Sequence, residues 1–292
     1  QALRGHFAFV EDRLIAHRDQ NQQLWFNRFV QGDLVGNAWT EVGSVKIGDV
    51  LTRVTRNAQG QLEVNGSKYY STGSIFADWI DLYAYDDVNQ RAVIAAVNRH
   101  DQGVSVLDDW DGFGQKTTGS GTLTLKNVPV EDSHLIAFED RFKYQTAYYQ
   151  QFHLATLTGI AQSAVESFSH EVRERKRIFS HGNADLARHD AQVLQVIGQA
   201  SANAYASEAI TQKVAESLQQ AYLSHFESSE VLEHQANVAA ELESAQGQVV
   251  VSKLVLDLTS NLFNALSASA SSRATQLDRF WRNARTVSSH NP

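Results

Sequence analysis

Apolar residues recur every three or four positions at the start of the chain, at Leu3, Phe7, Val10 and Leu14 and again at Leu24, Trp25 and Phe29. That is the spacing of helices with one buried face. Near residue 34 the period changes. Val50 to Thr55 is rich in β-branched residues, Asn57 to Gly60 supplies a turn, and Leu62-Glu63-Val64 alternates up to Asn65-Gly66, a dipeptide that predicts a tight hairpin. Further strands are expected at Trp79 to Tyr85, Ala92 to Val97, Gly103 to Leu107 and Thr122 to Leu125, joined by Asp-, Asn- and Gly-rich connections. From about residue 144 glycine and proline nearly vanish and helical spacing returns. Four segments follow, Tyr144 to Arg177, Ala184 to Ser224, Ser228 to Ala270 and Arg273 to Arg285.

These periods predict an α+β fold in three parts: the end of a helical region over 1–33, an antiparallel β barrel or sandwich of six to eight strands over 34–138, and a bundle of long helices over 139–292. With 42% hydrophobic and 20% charged residues among 292, the chain has ample material for a core and no disordered composition. A net charge of −8 argues against a nucleic-acid partner, which calls for a basic face. No stretch reaches the roughly 20 apolar residues that span a bilayer. The start has no signal-peptide shape, so a soluble cytoplasmic protein is expected. Cysteine is absent, which excludes disulfide and thiolate chemistry. Methionine is absent too, and the chain is therefore expected to be a fragment of a longer protein.

Four local signatures narrow the reading. They are Gly36-Asn37-Ala38-Trp39-Thr40-Glu41; Asn65-Gly66-Ser67-Lys68-Tyr69-Tyr70-Ser71-Thr72-Gly73 with Ala77-Asp78-Trp79; Trp110-Asp111-Gly112-Phe113-Gly114-Gln115 running through Thr117-Thr118-Gly119-Ser120-Gly121 to Val128-Pro129-Val130; and Asp278-Arg279-Phe280-Trp281-Arg282-Asn283-Ala284-Arg285-Thr286. In this order they resemble the flavin segments and the late arginine segment of the acyl-CoA dehydrogenase superfamily. The Asp108-to-Gln115 run and the Trp281-to-Thr286 run with its His-x-Pro ending resemble most the branch of two-component flavin monooxygenases typified by dibenzothiophene monooxygenases.

The resemblance implies an enzyme that takes reduced FMN from a separate flavin reductase, forms a flavin C4a-hydroperoxide with O2, and oxygenates a small organosulfur, aromatic or other heteroatom substrate. It also implies a homotetramer. The alternatives are an FAD-dependent acyl-CoA dehydrogenase and a helical scaffold without catalysis. A dehydrogenase needs a carboxylate base. Its usual place after the arginine segment falls at about Asn291, which cannot act as one, and Glu241 or Glu243 on an earlier helix would have to substitute. The monooxygenase needs a donor to steady the peroxide, a way to protonate it, and a dry pocket.

His290 occupies the position of that branch's active-site histidine, with Asn37, Thr72 or its neighbour Ser71, and His6 as further catalytic positions. Thr40 is implied at the pyrimidine edge of the flavin, Trp110 and Trp39 at the pocket wall, and Arg175 or Arg177, in the basic stretch that runs to Ile178-Phe179, at the cofactor phosphate of a neighbouring subunit. Arg282 belongs to the arginine segment and is assigned to the cofactor with them. Each type has an ordinary explanation: solvated helix faces for His6 and the arginines, turn hydrogen bonds for Asn37 and Thr72, and core packing for the tryptophans. The late stretch Asn264 to Ala270 has no glycine with which to approach a dinucleotide pyrophosphate, which favours FMN over FAD.

Overall fold

The computed structural model describes residues 1–17, 22–43, 49–177 and 180–290. The chain forms two compact units, one of residues 1–111 and 116–145, the other of residues 112–115 and 146–292.

In the first unit, helices α1 (Arg4–Ile15) and α2 (Gln22–Gln31) precede a sheet of nine strands among the described residues. The strands are β1 (Val35–Ala38), β2 (Thr40–Glu41), β3 (Arg53–Arg56), β4 (Leu62–Tyr69), β5 (Trp79–Asp86), β6 (Arg91–Asn98), β7 (Val104–Val106), β8 (Leu123–Pro129) and β9 (Leu135–Ala137). Their main order is β7-β8-β4-β3-β5-β6-β9, with β1 on β5 and β2 on β4. Most pairings are antiparallel, as expected, but β1 and β3 both run parallel to β5, so the sheet is mixed. A parallel neighbour cannot be joined by a tight turn. Here β1 arrives from helix α2, and β3 meets β5 only after the chain has passed through β4.

Asn65-Gly66 also departs from expectation. It lies inside β4, where the register against β8 shifts between Val64 and Gly66, and Asn65 Oδ1 accepts the Asn127 N–H at 2.8 Å. A Cβ at Gly66 would sit 2.5 Å from Thr52 Oγ1, so the glycine serves a close approach rather than a hairpin. The tight turn is made upstream, where Asn57 Oδ1 accepts the N–H groups of Gln59 and Gln61 at 3.0 Å.

One face of the sheet closes over Val54, Val64, Ile80, Leu82, Val97, Leu123 and Leu125. The other packs Phe9 and Trp25 of the two helices on Val35, Trp79 and Ile94. Between strands and helices lies a buried charge network. Asp81, fully buried, accepts from Trp39 Nε1 at 2.8 Å and Arg141 Nη1 at 3.3 Å, and Asp12 lies 3.7 Å from Arg141 Nε and pairs with Arg13. Burial pushes the Asp81 carboxyl up from its ordinary range, while Arg141 and the indole N–H pull it down.

The second unit holds α3 (Gln145–Glu174), α4 (Ala191–Ser224), α5 (Glu230–Asn261) and α6 (Asp278–Ser288). Helix α4 starts later than its spacing predicts because Asp190 caps it, accepting from Gln192 N at 2.9 Å while also holding Asn183 N at 2.9 Å. Helix α5 is capped by Ser229, whose hydroxyl accepts from Leu232 N at 3.4 Å. It ends near Asn261 rather than Ala270, giving way to two short 3-10 turns over 262–265 and 267–271 with Ser267 at a φ of 58°. Small residues let the long helices approach closely: Gly247 of α5 faces Val214 and Leu154, and Thr158 meets Thr211 at 2.9 Å. No described helix is long and apolar enough to cross a membrane.

Candidate functional site

Strand β1 is buried along its whole length, and it carries Asn37 into the interior of the first unit. The Asn37 N–H donates to the Thr72 carbonyl at 3.0 Å, which joins the first flavin-like segment to the second. Asn37 Oδ1 accepts from Arg4 Nη2 at 3.4 Å. Its Nδ2 is buried with no hydrogen-bond partner among the described residues. A buried amide donor left without an acceptor costs about 1–3 kcal/mol. Such a donor fits a ligand with acceptor atoms, and the edge of a flavin ring presents several.

The second segment turns at Tyr70, a non-glycine residue at a φ of 57°, whose ring lies 5.8 Å from that of Trp110. Just beyond it, the Ser71 hydroxyl and N–H both donate to the Gly121 carbonyl, at 2.7 and 3.1 Å. Thr72 Oγ1 instead lies 3.0 Å from Ser120 Oγ, which lies 2.7 Å from Thr118 Oγ1. The Gly73 N–H donates to the Thr118 carbonyl at 2.8 Å. Asn37, Ser71, Thr72, Thr118 and Ser120 thus gather from three segments into one small polar cluster inside the first unit. Sequence reading placed Thr118 and Ser120 in a motif without giving them a role. The two flank Gly119, whose φ of 60° turns the chain so that their hydroxyls meet, a local geometry that residue spacing does not announce.

Glu41 explains the second half of the Thr40-Glu41 pair. Its carboxylate takes the N–H groups of Leu51 and Thr52, both at 3.1 Å, the Thr52 hydroxyl at 3.1 Å, and the ammonium of Lys68, which is itself fully buried. Thr40 is exposed beside it, paired in register with Tyr69. Trp39 is held by Asp81, with Arg141 5.0 Å over its ring and Phe138 5.8 Å away. His6 is half buried, and its Nδ1 accepts the Val35 N–H at 3.3 Å. Burial holds its pKa below the ordinary value.

The second unit carries the remaining sequence-derived positions. Residues 112–115 dock on α6: Asn283 Oδ1 accepts the Gln115 N–H at 2.7 Å, Arg282 Nη1 donates to the Phe113 carbonyl at 2.9 Å, and the Phe113 and Trp281 rings stack at 6.0 Å. A Cβ on Gly114 would fall 2.3 Å from the Arg282 carbonyl and 2.4 Å from Thr286 Oγ1. Gly114→Ala is therefore expected to cost about 1–3 kcal/mol, the range for overpacking a close contact. Urea unfolding checks this, and an unchanged midpoint would mean that the loop does not rest on α6.

His290 is exposed just past the end of α6, and its ring centroid lies 4.2 Å from that of buried His153 on α3. His153, which contacts Gln150 Oε1 at 3.2 Å, was not singled out from the sequence. An isolated histidine on a helix carries no signal until its neighbour is known. Arg175 donates to the Leu266 carbonyl at 3.0 Å, to Ser269 Oγ at 2.7 Å and to the Arg177 carbonyl at 3.0 Å, while Arg177 is exposed. The glycine-free turn is thus met by a guanidinium. Ile178-Phe179 and Asn291 lie outside the described residues.

The two carboxylates available to a dehydrogenase have other partners. Glu241 accepts the Ala147 N–H at 3.0 Å, in the first turn of α3, and Glu243 is bonded to the Ser217 hydroxyl with Lys213 3.7 Å away. No cluster of metal-ligating side chains occurs among the described residues.

Residues 37–128 match the model of the acyl-CoA dehydrogenase middle domain, and residues 152–292 that of the acyl-CoA dehydrogenase C-terminal domain. The chain is 26% identical to a probable FMNH2-dependent monooxygenase, SfnC, of Pseudomonas putida, over 98% of this chain and 71% of that protein. It is 24% identical to a dibenzothiophene monooxygenase of Rhodococcus erythropolis, over 96% of this chain and 69% of that protein. Among solved structures, FMN-bound TdsC from Paenibacillus sp. A11-2 superposes with a TM-score of 0.86 at 29% identity, covering 98% of this chain and 74% of that one. With middle-domain and C-terminal-domain matches in the expected order, on a mixed sheet followed by long helices, the chain belongs to the acyl-CoA dehydrogenase superfamily.

Proposed function

We propose that this chain is a flavin-dependent monooxygenase that uses reduced FMN delivered by a separate flavin reductase, and that it oxygenates a small organosulfur, aromatic or other heteroatom substrate. The observation that carries the reading is the pairing of an uncommitted buried amide, Asn37 Nδ2, with the Thr72 hydroxyl in a cluster from which carboxylates are absent among the described residues. This set suits a ring edge that both accepts and donates hydrogen bonds. It offers no base for removing a proton from carbon. The engagement of Glu241 and Glu243 argues the same way, and so does the likeness to FMN-dependent relatives.

In this reading Asn37 and Thr72 orient the ring, Ser71 braces the turn that presents Thr72, and Thr40 meets the pyrimidine edge. Trp110 and Trp39 supply apolar walls that exclude water. His6 lends its ring to the same wall. Arg282 supplies positive charge for the single phosphate of FMN, with Arg175 or Arg177 reaching it from a neighbouring subunit, and the turn over 264–270 has no glycine with which to approach a second phosphate. His290 is the group that holds and returns a proton. Bound reduced FMN supplies the electrons that activate O2.

The test is rapid mixing of oxygenated buffer with protein loaded anaerobically with reduced FMN. A transient absorbance distinct from both oxidised and reduced flavin is expected. Monotonic reoxidation, together with bleaching of bound FAD by an acyl-CoA, would sink the reading.

A homotetramer is part of the proposal. Helix α5 buries one face, yet Val231, Val238, Leu242 and Val249 line the opposite one, each at least half exposed. Spacings of seven, four and seven residues put them in one stripe, and an apolar stripe of this length on a long helix calls for a partner. Substituting glutamate at both Val238 and Leu242 is expected to dissociate the assembly, as read by light scattering. A wild-type protein that is already monomeric would refute the tetramer.

A further inference from the structure

The hydroxyls of Thr72, Ser120 and Thr118 are linked end to end at 3.0 and 2.7 Å, and all three residues are buried. Ser71, next in sequence, stands outside this chain because its hydrogen is committed to the Gly121 carbonyl. Neither link has a fixed direction. Each hydroxyl has one hydrogen and two lone pairs. Two polarities therefore run along the chain. In the first, Thr118 donates to Ser120 and Ser120 to Thr72, which leaves the Thr72 hydrogen for an acceptor beyond. In the second, Thr72 donates to Ser120 and Ser120 to Thr118, which leaves a Thr72 lone pair for a donor beyond. The other partner of Thr72 Oγ1 is the Tyr70 carbonyl, at a long 3.3 Å.

Flavin N5 reverses its hydrogen-bonding sense in the same way. It is a bare acceptor in the oxidised ring and an N–H donor in the reduced one. We propose that Thr72, Ser120 and Thr118 form a reversible hydroxyl chain that satisfies N5 of bound flavin in both redox states, turning from donor to acceptor by rotation of three O–H bonds with no net proton transfer. Ser120 and Thr118 are positioning residues that act through Thr72. The inference rests on the FMN reading above, including the place of Thr72 beside the ring. Its consequence is thermodynamic. An enzyme that must hold reduced flavin long enough to meet O2, and then release the oxidised form, gains from a contact that costs little in either state.

Affinity for each redox form tests the chain. In Ser120→Ala, Thr72 still donates to oxidised N5, but facing reduced N5–H its hydrogen has, among the described residues, only the Tyr70 carbonyl at 3.3 Å. Reduced FMN is therefore expected to lose about fivefold more affinity than oxidised FMN, the scale of one poorly satisfied buried donor. The midpoint potential of bound flavin should become more negative. Thr118→Val, which removes the hydroxyl and keeps the shape, should act in the same direction, and Thr118→Ser should restore wild-type behaviour. Fluorescence titration with oxidised FMN and anaerobic titration with reduced FMN give the two constants. Equal weakening of both forms, or none, in Ser120→Ala and Thr118→Val would reduce the chain to packing and overturn the proposal. Should Ser120→Ala fail to fold, the Thr118→Val and Thr118→Ser pair decides alone. Wild-type protein that binds neither form would instead remove the FMN reading, and the proposal with it.

Discussion

Asp81→Ala is expected to destabilise the protein by about 3–5 kcal/mol, the cost of removing one partner from a buried ion pair. The carboxylate is fully buried and accepts from both the Trp39 indole and the Arg141 guanidinium. The Arg141 side chain is fully buried too, and its next carboxylate, Asp12, sits at 3.7 Å and already pairs with Arg13. Alanine would thus leave an under-compensated cation and an unbonded indole N–H in a region without water access. Asp81→Asn separates the two effects, because an amide oxygen still accepts from Trp39 while the charge is lost. It should be destabilised, but by less. Urea unfolding monitored by tryptophan fluorescence gives both values. A loss for Asp81→Ala under about 1 kcal/mol, the scale of an exposed pair, would mean that the network does not hold β5 to its neighbours. The same variant should disturb the proposed flavin cluster indirectly, since Asn37 is paired in register with Asp81 across β1 and β5.

For function, the largest effect is expected from His290→Ala. General acid–base groups contribute about 10²- to 10⁴-fold to rate. If His290 returns the proton in oxygen transfer, its loss should lower product formation by at least about a hundredfold. Oxygen consumption should continue, with the missing product appearing as hydrogen peroxide. The transient absorbance that follows mixing of reduced FMN–protein with O2 should also be shorter-lived. His153→Phe keeps a ring beside His290 and removes the second imidazole, so it reports whether the pair acts together. Unchanged coupling of oxygen to product in His290→Ala would take His290 out of the chemistry and leave it an exposed histidine resting against His153 of α3.

Periodicity was enough to divide the chain into helical, strand and long-helix stretches, because burial of one face imposes a repeat that the sequence must carry. The superfamily's local signatures were legible for a related reason. Glycines, capping residues and paired polar side chains such as Thr40-Glu41 act within a few residues of one another, so their order survives in one dimension. Pairing across the fold was not legible. Whether β1 runs parallel or antiparallel to β5, and whether Asn65-Gly66 turns the chain or bulges a strand, depends on which strand lies alongside. The sequence names no partner.

The charged groups show this most clearly. Asp81 and Arg141 are sixty residues apart and look like surface charges in a window. Only tertiary structure makes them a buried pair under Trp39, where the low dielectric gives each its importance. The same holds for Ser120 beneath Thr72 and His153 beneath His290. By itself the sequence determined the superfamily and the order of helical and strand stretches, and it supplied the residues proposed to face the cofactor. Tertiary structure alone decided which of these residues are already spent on structure, as Ser71 and Glu41 are, and which keep a donor or lone pair for a ligand, as Asn37 and Thr72 do. A hydrogen bond is a property of a pair of atoms, and its second atom is found only in space.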